Sequence, residues 1–193
     1  ADAIKLQTYT ADTITLDCDD PCFQITQGTL WDGTTLNRLY EKAYTPWEWQ
    51  PGLQKAANDM GLDFFSSPFD PTSVDFLERL KVPAYKVASF EITDIPLIRR
   101  IASLGKPVLI STGIAALGDI ELAVRTCREA GNEDVILLKC CSAYPTPYED
   151  INLKTMVNMA DTFGCMVGLS DHTMGHAVAV ASVALGARVV EKH

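Results

Sequence analysis

The sequence predicts an α/β protein of the (βα)8 TIM-barrel class, present as an incomplete fragment spanning about the second to the eighth strand. Three observations carry that reading. Seven short runs rich in apolar and β-branched residues recur, at Ala3 to Tyr9, Leu62 to Ser66, Ala84 to Ser89, Pro107 to Thr112, Asp134 to Cys141, Cys165 to Ser170 and Ala187 to His193. Each has the length of a buried strand. From the second run on, they begin at 62, 84, 107, 134, 165 and 187, intervals of 22 to 31 residues. That is the size of one βα unit and implies parallel strands joined by helical crossovers. Finally, polar residues gather at the C-terminal ends of nearly every run, where a barrel builds its active site. A doubly wound sheet would carry a Gly-rich phosphate loop after its first strand. Here Lys-Leu-Gln-Thr-Tyr-Thr stands in that place, and no GxGxxG or Walker pattern occurs anywhere.

Taken in order, the first run presents Lys5 and Gln7. The stretch from Thr10 to Pro51 then breaks the rhythm. It holds Trp31, Trp47 and Trp49 and the turn signal Asp32-Gly33, and is expected to form a lid or binding loop. Its tryptophans would either cover a ligand or clamp the insertion to the barrel. The second run ends in Ser66 and Ser67, and the third offers Lys86, Ser89 and Glu91. A helix follows, burying Leu97, Ile98, Ile101 and Ala102, with Asp94 as N-cap, Pro96 in the first turn, Gly105 after the last turn and Pro107 beyond. The fourth run ends in Ser111 and Thr112, and the next helix buries Ile120, Ala123, Val124 and Cys127. The fifth leads to Ser142 and Tyr144, the sixth to Ser170, Asp171 and His172, the seventh to Glu191, Lys192 and His193. Seven strands and 193 residues fall short of the roughly 250 typical of the fold. One βα unit in front and one helix behind are therefore expected to be missing.

Composition narrows the function classes. With 47% hydrophobic and 21% charged residues the chain has material for a core. A net charge of −9 makes a phosphate backbone a poor partner, so nucleic acid is not expected. No apolar run approaches the roughly 18 to 20 residues of a membrane span, and Ala1 to Thr10 lacks the blocks of a signal peptide. Six cysteines are too sparse for a disulfide scaffold, and a reducing cytoplasm is the expected setting.

His172 and His193 close adjacent runs and are candidates to share a metal, with a capping turn at Asp171 and Thr173 as the plain alternative for His172. His176 is expected to pack or face solvent. Lys5, Lys86 and Lys139 interrupt strand-like runs and need an anion or the barrel mouth. Lys139, inside its strand, is expected to form a structural salt bridge. Lys5 and Lys86, with Ser67, Ser89, Ser111 and Ser170, would make a cationic, oxygen-rich pocket for a small phosphorylated carboxylate. Each serine taken alone reads more readily as a cap. Glu91 is a candidate acid or base beside that pocket, or a helix-start carboxylate. Cys140 and Cys141 lack redox spacing and are expected to pack inertly.

Lys-Leu-Gln-Thr, Phe-Ser-Ser-Pro-Phe-Asp, Tyr-Lys-Val-Ala-Ser-Phe-Glu, Ser-Thr-Gly, Tyr-Pro-Thr-Pro, Gly-Leu-Ser-Asp-His-Thr and Glu-Lys-His occur in this order over the whole chain. The ordered set resembles the sialic acid synthases. Within that family the insertion Gly-Thr-Leu-Trp-Asp-Gly-Thr-Thr-Leu, with Ala-Tyr-Thr-Pro-Trp-Glu-Trp, is more similar to pseudaminic acid synthases than to N-acetylneuraminate synthases. The resemblance implies condensation of phosphoenolpyruvate with an open-chain N-acetylated amino sugar, C–O cleavage and release of phosphate. It also implies Mn2+ or Mg2+ held by His172 and His193. By the same resemblance Lys5, Ser67, Lys86, Ser89, Ser111 and Ser170 bind phosphoenolpyruvate, Gln7 and Tyr144 hold the sugar, and Glu91 manages a proton. Ser142 replaces an Asn of the neuraminate enzymes, which is compatible with 2,4-diacetamido-2,4,6-trideoxy-altrose in place of N-acetylmannosamine. A homodimer is implied for the full-length enzyme, along with a first-strand carboxylate and a C-terminal domain that residues 1–193 do not contain. Two rival readings use the same face: a metal-dependent barrel aldolase and a non-catalytic carbohydrate-binding domain.

Overall fold

The computed structural model describes residues 1–26, 28 and 30–193. Two compact units succeed one another, Ala1–Pro83 and Ala84–His193. In the first, β1 (Ala3–Thr8) and β2 (Asp63–Pro68) pair in parallel, with Lys5 opposite Phe65 and Gln7 opposite Ser67. Between them the chain forms α1 (Ala11–Ile14), α2 (Leu36–Ala43) and α3 (Gln50–Asp59), so the stretch expected as a lid or loop contains helices. Thr35 caps α2, accepting from Arg38 N. Trp47 is a clamp: its Nε1 donates to Tyr9 O at 3.0 Å and its ring lies 5.0 Å from that of Phe76. Trp31 and Trp49 are exposed. After β2, Asp70 caps α4 (Pro71–Arg79) by accepting from Thr72 N and Ser73 N, and Val74 and Leu77 are fully buried.

The second unit is a regular succession of parallel strands in chain order: β3 (Tyr85–Val87), β4 (Val108–Ser111), β5 (Val135–Cys140), β6 (Met166–Asp171) and β7 (Val189–Lys192). The crossovers are α5 (Ile95–Ala102), α6 (Leu117–Glu129), α7 (Lys154–Phe163) and α8 (Ala177–Ala184). The punctuation of α5 is as the sequence predicts. Asp94 accepts from Leu97 N at 3.0 Å, Pro96 sits in the first turn, and Gly105 takes a φ of 67° that disfavours a side chain. Its apolar stripe, Leu97, Ile98, Ile101 and Ala102, is buried, as are Ile120, Ala123, Val124 and Cys127 of α6.

Side chains alternate across a strand, so register decides which residues share a face. Cys140 pairs with Ser170 and Ser170 with Glu191, forming one row near the C-terminal ends on the inner face. Lys139 pairs with Leu169 on the opposite face, where Leu169 packs with Val178 of α8. Gly168 is where β7 approaches most closely, because a Cβ there would collide with the Val189 carbonyl.

Candidate functional site

The site residues of the second unit converge on that inner face. Lys86 of β3 is 3% exposed. Its Nζ donates to Val87 O at 2.9 Å and lies 3.6 Å from Glu191 Oε2 on β7. Ser89 follows β3, and its Oγ accepts from Ile114 N at 3.0 Å, with Ser142 Oγ 3.4 Å away. Ser111 ends β4 and is 2% exposed, with a buried hydroxyl that has no hydrogen-bond partner. Such an atom is costly unless a bound group satisfies it. Gly113 explains how these serines come so close: a Cβ there would lie 2.5 Å from Ser142 Oγ and 2.7 Å from Ser89 Oγ.

Glu91 lies in the turn after β3. Burial pushes its carboxyl up to about 7, with Asp94 adding to the rise, against the opposing pull of its backbone hydrogen bond and of Lys86. Its Oε2 is buried without a hydrogen bond. A carboxyl poised near neutrality can give or take a proton.

His172 and His193 do meet, with ring centroids 4.2 Å apart at 39°. His172 Nδ1 lies 2.8 Å from Cys141 O. A carbonyl only accepts, so Nδ1 carries the proton and Nε2 keeps its lone pair. Burial lowers the His172 pKa, with His193 adding to the fall and the Cys141 carbonyl opposing it, so the ring is neutral at pH 7. His193 Nε2 lies 2.9 Å from Glu191 Oε1 and 3.4 Å from Ser170 Oγ. The capping turn is also real, but it belongs to Asp171, whose Oδ1 accepts from Thr173 N and Oγ1 while His172 faces the site. The Tyr144 ring covers His172 at 4.2 Å. His172 and His193 offer adjacent imidazole rings, donors of a kind that a divalent transition ion accepts. Among the described residues no three His, Cys, Asp or Glu side chains form a complete cage, so the imidazoles would be this chain's share of the ligands.

Three further candidates belong to the first unit. Lys5 and Gln7 are on β1 and Ser67 is on β2, its buried hydroxyl also without a hydrogen bond. His176 is exposed at the start of α8. Lys139 departs from expectation. Among the described residues it forms no salt bridge, and its Nζ donates to Cys140 O at 2.8 Å beside Cys141 Sγ at 3.4 Å. Cys140 packs as a buried thiol, as expected, on the inner wall beside His172, Ser170 and Ser142, with burial raising its pKa. Glu191 is read from the sequence only as a polar strand-end residue without a role, although it lies two positions before His193 and period two puts both on one face.

A NeuB family model matches residues 1–193. The chain is 47% identical over 193 residues to the pseudaminic acid synthase of Helicobacter pylori, covering 100% of this chain and 56% of the relative. It is 37% identical over 197 residues to the N,N'-diacetyllegionaminic acid synthase of Legionella pneumophila, covering 100% and 55%. The crystal structure of N-acetylneuraminic acid synthetase from Leptospira borgpetersenii, in complex with citrate, superposes with a TM-score of 0.84 at 26% identity, covering 100% of this chain and 61% of that one. The fold class read from the sequence is thereby established. The chain spans just over half the length of the curated relatives it matches.

Proposed function

The chain belongs to the NeuB family, and from that premise we propose that the protein condenses phosphoenolpyruvate with an open-chain N-acetylated amino sugar, giving a nonulosonic acid and inorganic phosphate. The observation that carries the reading is the inner face itself: a lysine 3% exposed, a buried Ser111 hydroxyl without a partner, and two histidine rings in contact. Lys86, Ser89, Ser111 and Ser170 would hold the phosphate and carboxylate of phosphoenolpyruvate, while Glu191 keeps the ammonium aimed along the face. Lys5, Gln7 and Ser67 take their roles from the family resemblance. His172 and His193 would hold Mn2+ or Mg2+, which would supply Lewis-acid polarisation of the sugar aldehyde. Carbon 3 of phosphoenolpyruvate attacks that aldehyde, and carbon 2 becomes cationic. Ionised Glu91 stabilises the cation and accepts a proton from the water that adds there. The proton taken from that water ends on the sugar oxygen made anionic by the attack, and the tetrahedral product expels phosphate by C–O cleavage, its hydroxyl proton leaving with the phosphate, to give the 2-keto acid.

The preferred sugar in this reading is 2,4-diacetamido-2,4,6-trideoxy-altrose, the precursor of pseudaminic acid. The higher identity to a pseudaminic acid synthase supports it, as does Ser142, which touches Ser89 where a longer amide would crowd it. We place the enzyme in the cytoplasm as a homodimer. Among the described residues no helix is long and apolar enough to cross a membrane. The test is phosphate release by the intact protein with each sugar at equal concentration and saturating Mn2+. We expect the altrose derivative to be preferred, and a His172→Ala, His193→Ala double variant to lose metal dependence together with turnover. A preference for N-acetylmannosamine would reassign the sugar. Sugar binding without phosphate release would favour the carbohydrate-binding alternative.

A further inference from the structure

Lys139 is the strand lysine that this reaction leaves without a role. It lies on the outer face of the sheet in the row of Leu169 and is half-buried, with a backbone carbonyl and a thiol as its neighbours. Among the described residues no carboxylate lies within ion-pair distance of Lys139 or of Lys154. A half-buried ammonium so placed is incompletely compensated, in a chain whose net charge is −9.

The same side chain helps to wall a cavity of about 620 Å³ between α6 and α7, a size usual for small-molecule sites. Lys154, Thr155 and Asn158 supply further polar groups, Leu117 and Ile120 an apolar side, and no acidic residue lines it. Lys154 and Thr155 also open the ten-residue α7, whose N-terminal dipole adds positive potential. We propose that this cavity is a second anion site, separate from the inner face, which takes a small organic phosphate. The phosphoryl group sits between Lys139 and Lys154, and the organic body lies along Leu117 and Ile120. Gly113 and Cys140 line the cavity from the strand side, and they are the residues that abut Ser142, Ser89 and His172 on the inner face. An occupant that draws Lys139 away from the Cys140 carbonyl therefore acts on the strand end that carries the inner site.

Phenyl phosphate is a suitable probe, with a dianionic head and an apolar body, and calorimetric titration of the intact protein reads its binding. The Lys139→Met, Lys154→Ala double variant is expected to bind it roughly tenfold or more weakly, with the Michaelis constant for phosphoenolpyruvate unchanged when the probe is absent. Lys154 is on the surface, so Lys154→Ala alone keeps the test valid should the double variant fold poorly, and it should bind severalfold more weakly. Undiminished binding in Lys154→Ala and in the double variant overturns the proposal. So does complete displacement of the probe by phosphoenolpyruvate, which would place it on the inner face. The readout is binding, so it holds whether or not the condensation reading succeeds.

Discussion

The two faces of the second unit's sheet each carry a lysine, and each handles the charge differently. On the inner face Lys86, 3% exposed, meets Glu191 of β7 at 3.6 Å, on the face that Ser111 and Ser170 share by register. On the outer face Lys139 rests on the Cys140 carbonyl and the Cys141 sulfur. The inner lysine is held by an opposite charge within the fold, so its position is fixed before any substrate arrives. The outer one is only half-buried, with a cavity beside it, and its remaining compensation comes from solvent or a ligand. A lysine in a strand is thus not one structural signal but two, separated by the parity of its position.

The sharpest break in that contrast comes from Lys86→Met. It removes the Lys86 ammonium from buried Glu191, which keeps His193 Nε2 at 2.9 Å from its other oxygen, and breaking a buried pair costs about 3 to 5 kcal/mol. Denaturant unfolding should show that loss, and phosphate release from phosphoenolpyruvate should disappear with it. Adding Glu191→Gln should restore part of the stability but none of the turnover. If Lys86→Met unfolds within about 1 kcal/mol of the unaltered protein, the pair is not the anchor of the inner face.

Parity also explains what is and is not legible in the sequence. All seven strands fall within two residues of their sequence-read bounds, because short apolar runs at regular spacing leave the chain little choice. His172, His193, Lys86 and Ser111 are legible from their places at strand ends. Lys139 reads as a salt bridge because a strand ammonium needs a counter-charge; period two already sets it opposite Cys140, but that its face offers a carbonyl and a sulfur in place of a carboxylate is visible only in the fold. The helices within Thr10 to Pro51 are missed for another reason. Leu36, Leu39, Tyr40 and Ala43 of α2 do keep helical spacing, but the surrounding turn residues and scattered tryptophans mask so short a period, and a contact distant in sequence, Trp47 to Tyr9 O, helps fix the segment.

A smaller effect sharpens the inner side. Glu91 titrates near 7 when folded and near 4.5 when not. The native state therefore holds a proton that the unfolded chain has already released, and its stability falls as pH rises from about 4.5 to about 7. Moving a titration midpoint by one pH unit corresponds to about 1.4 kcal/mol, and partial exposure reduces the total for Glu91 to about 1 to 2 kcal/mol. Glu91→Gln should remove that component. The variant should gain stability relative to the unaltered protein between pH 5 and pH 8 and lose turnover throughout. A constant stability difference across that range would mean that Glu91 is ionised and solvated in the native state.

The smallest effect belongs to the outer face and tests the comparison from the other side. Lys139→Met removes a hydrogen bond to a carbonyl, a loss of about 0.5 to 1.5 kcal/mol. It also relieves an ammonium that no carboxylate compensates, and the methionine adds apolar contact beside Ile120 and Met159. These contributions oppose one another, so unfolding should shift by less than about 1 kcal/mol in either direction. Without an occupant in the outer cavity, phosphate release from phosphoenolpyruvate should stay within about twofold, since Lys139 points away from Ser170 and Glu191. A loss comparable to that of Lys86→Met would mean that Lys139 is compensated by a carboxylate in solution, and the two faces would then follow one rule.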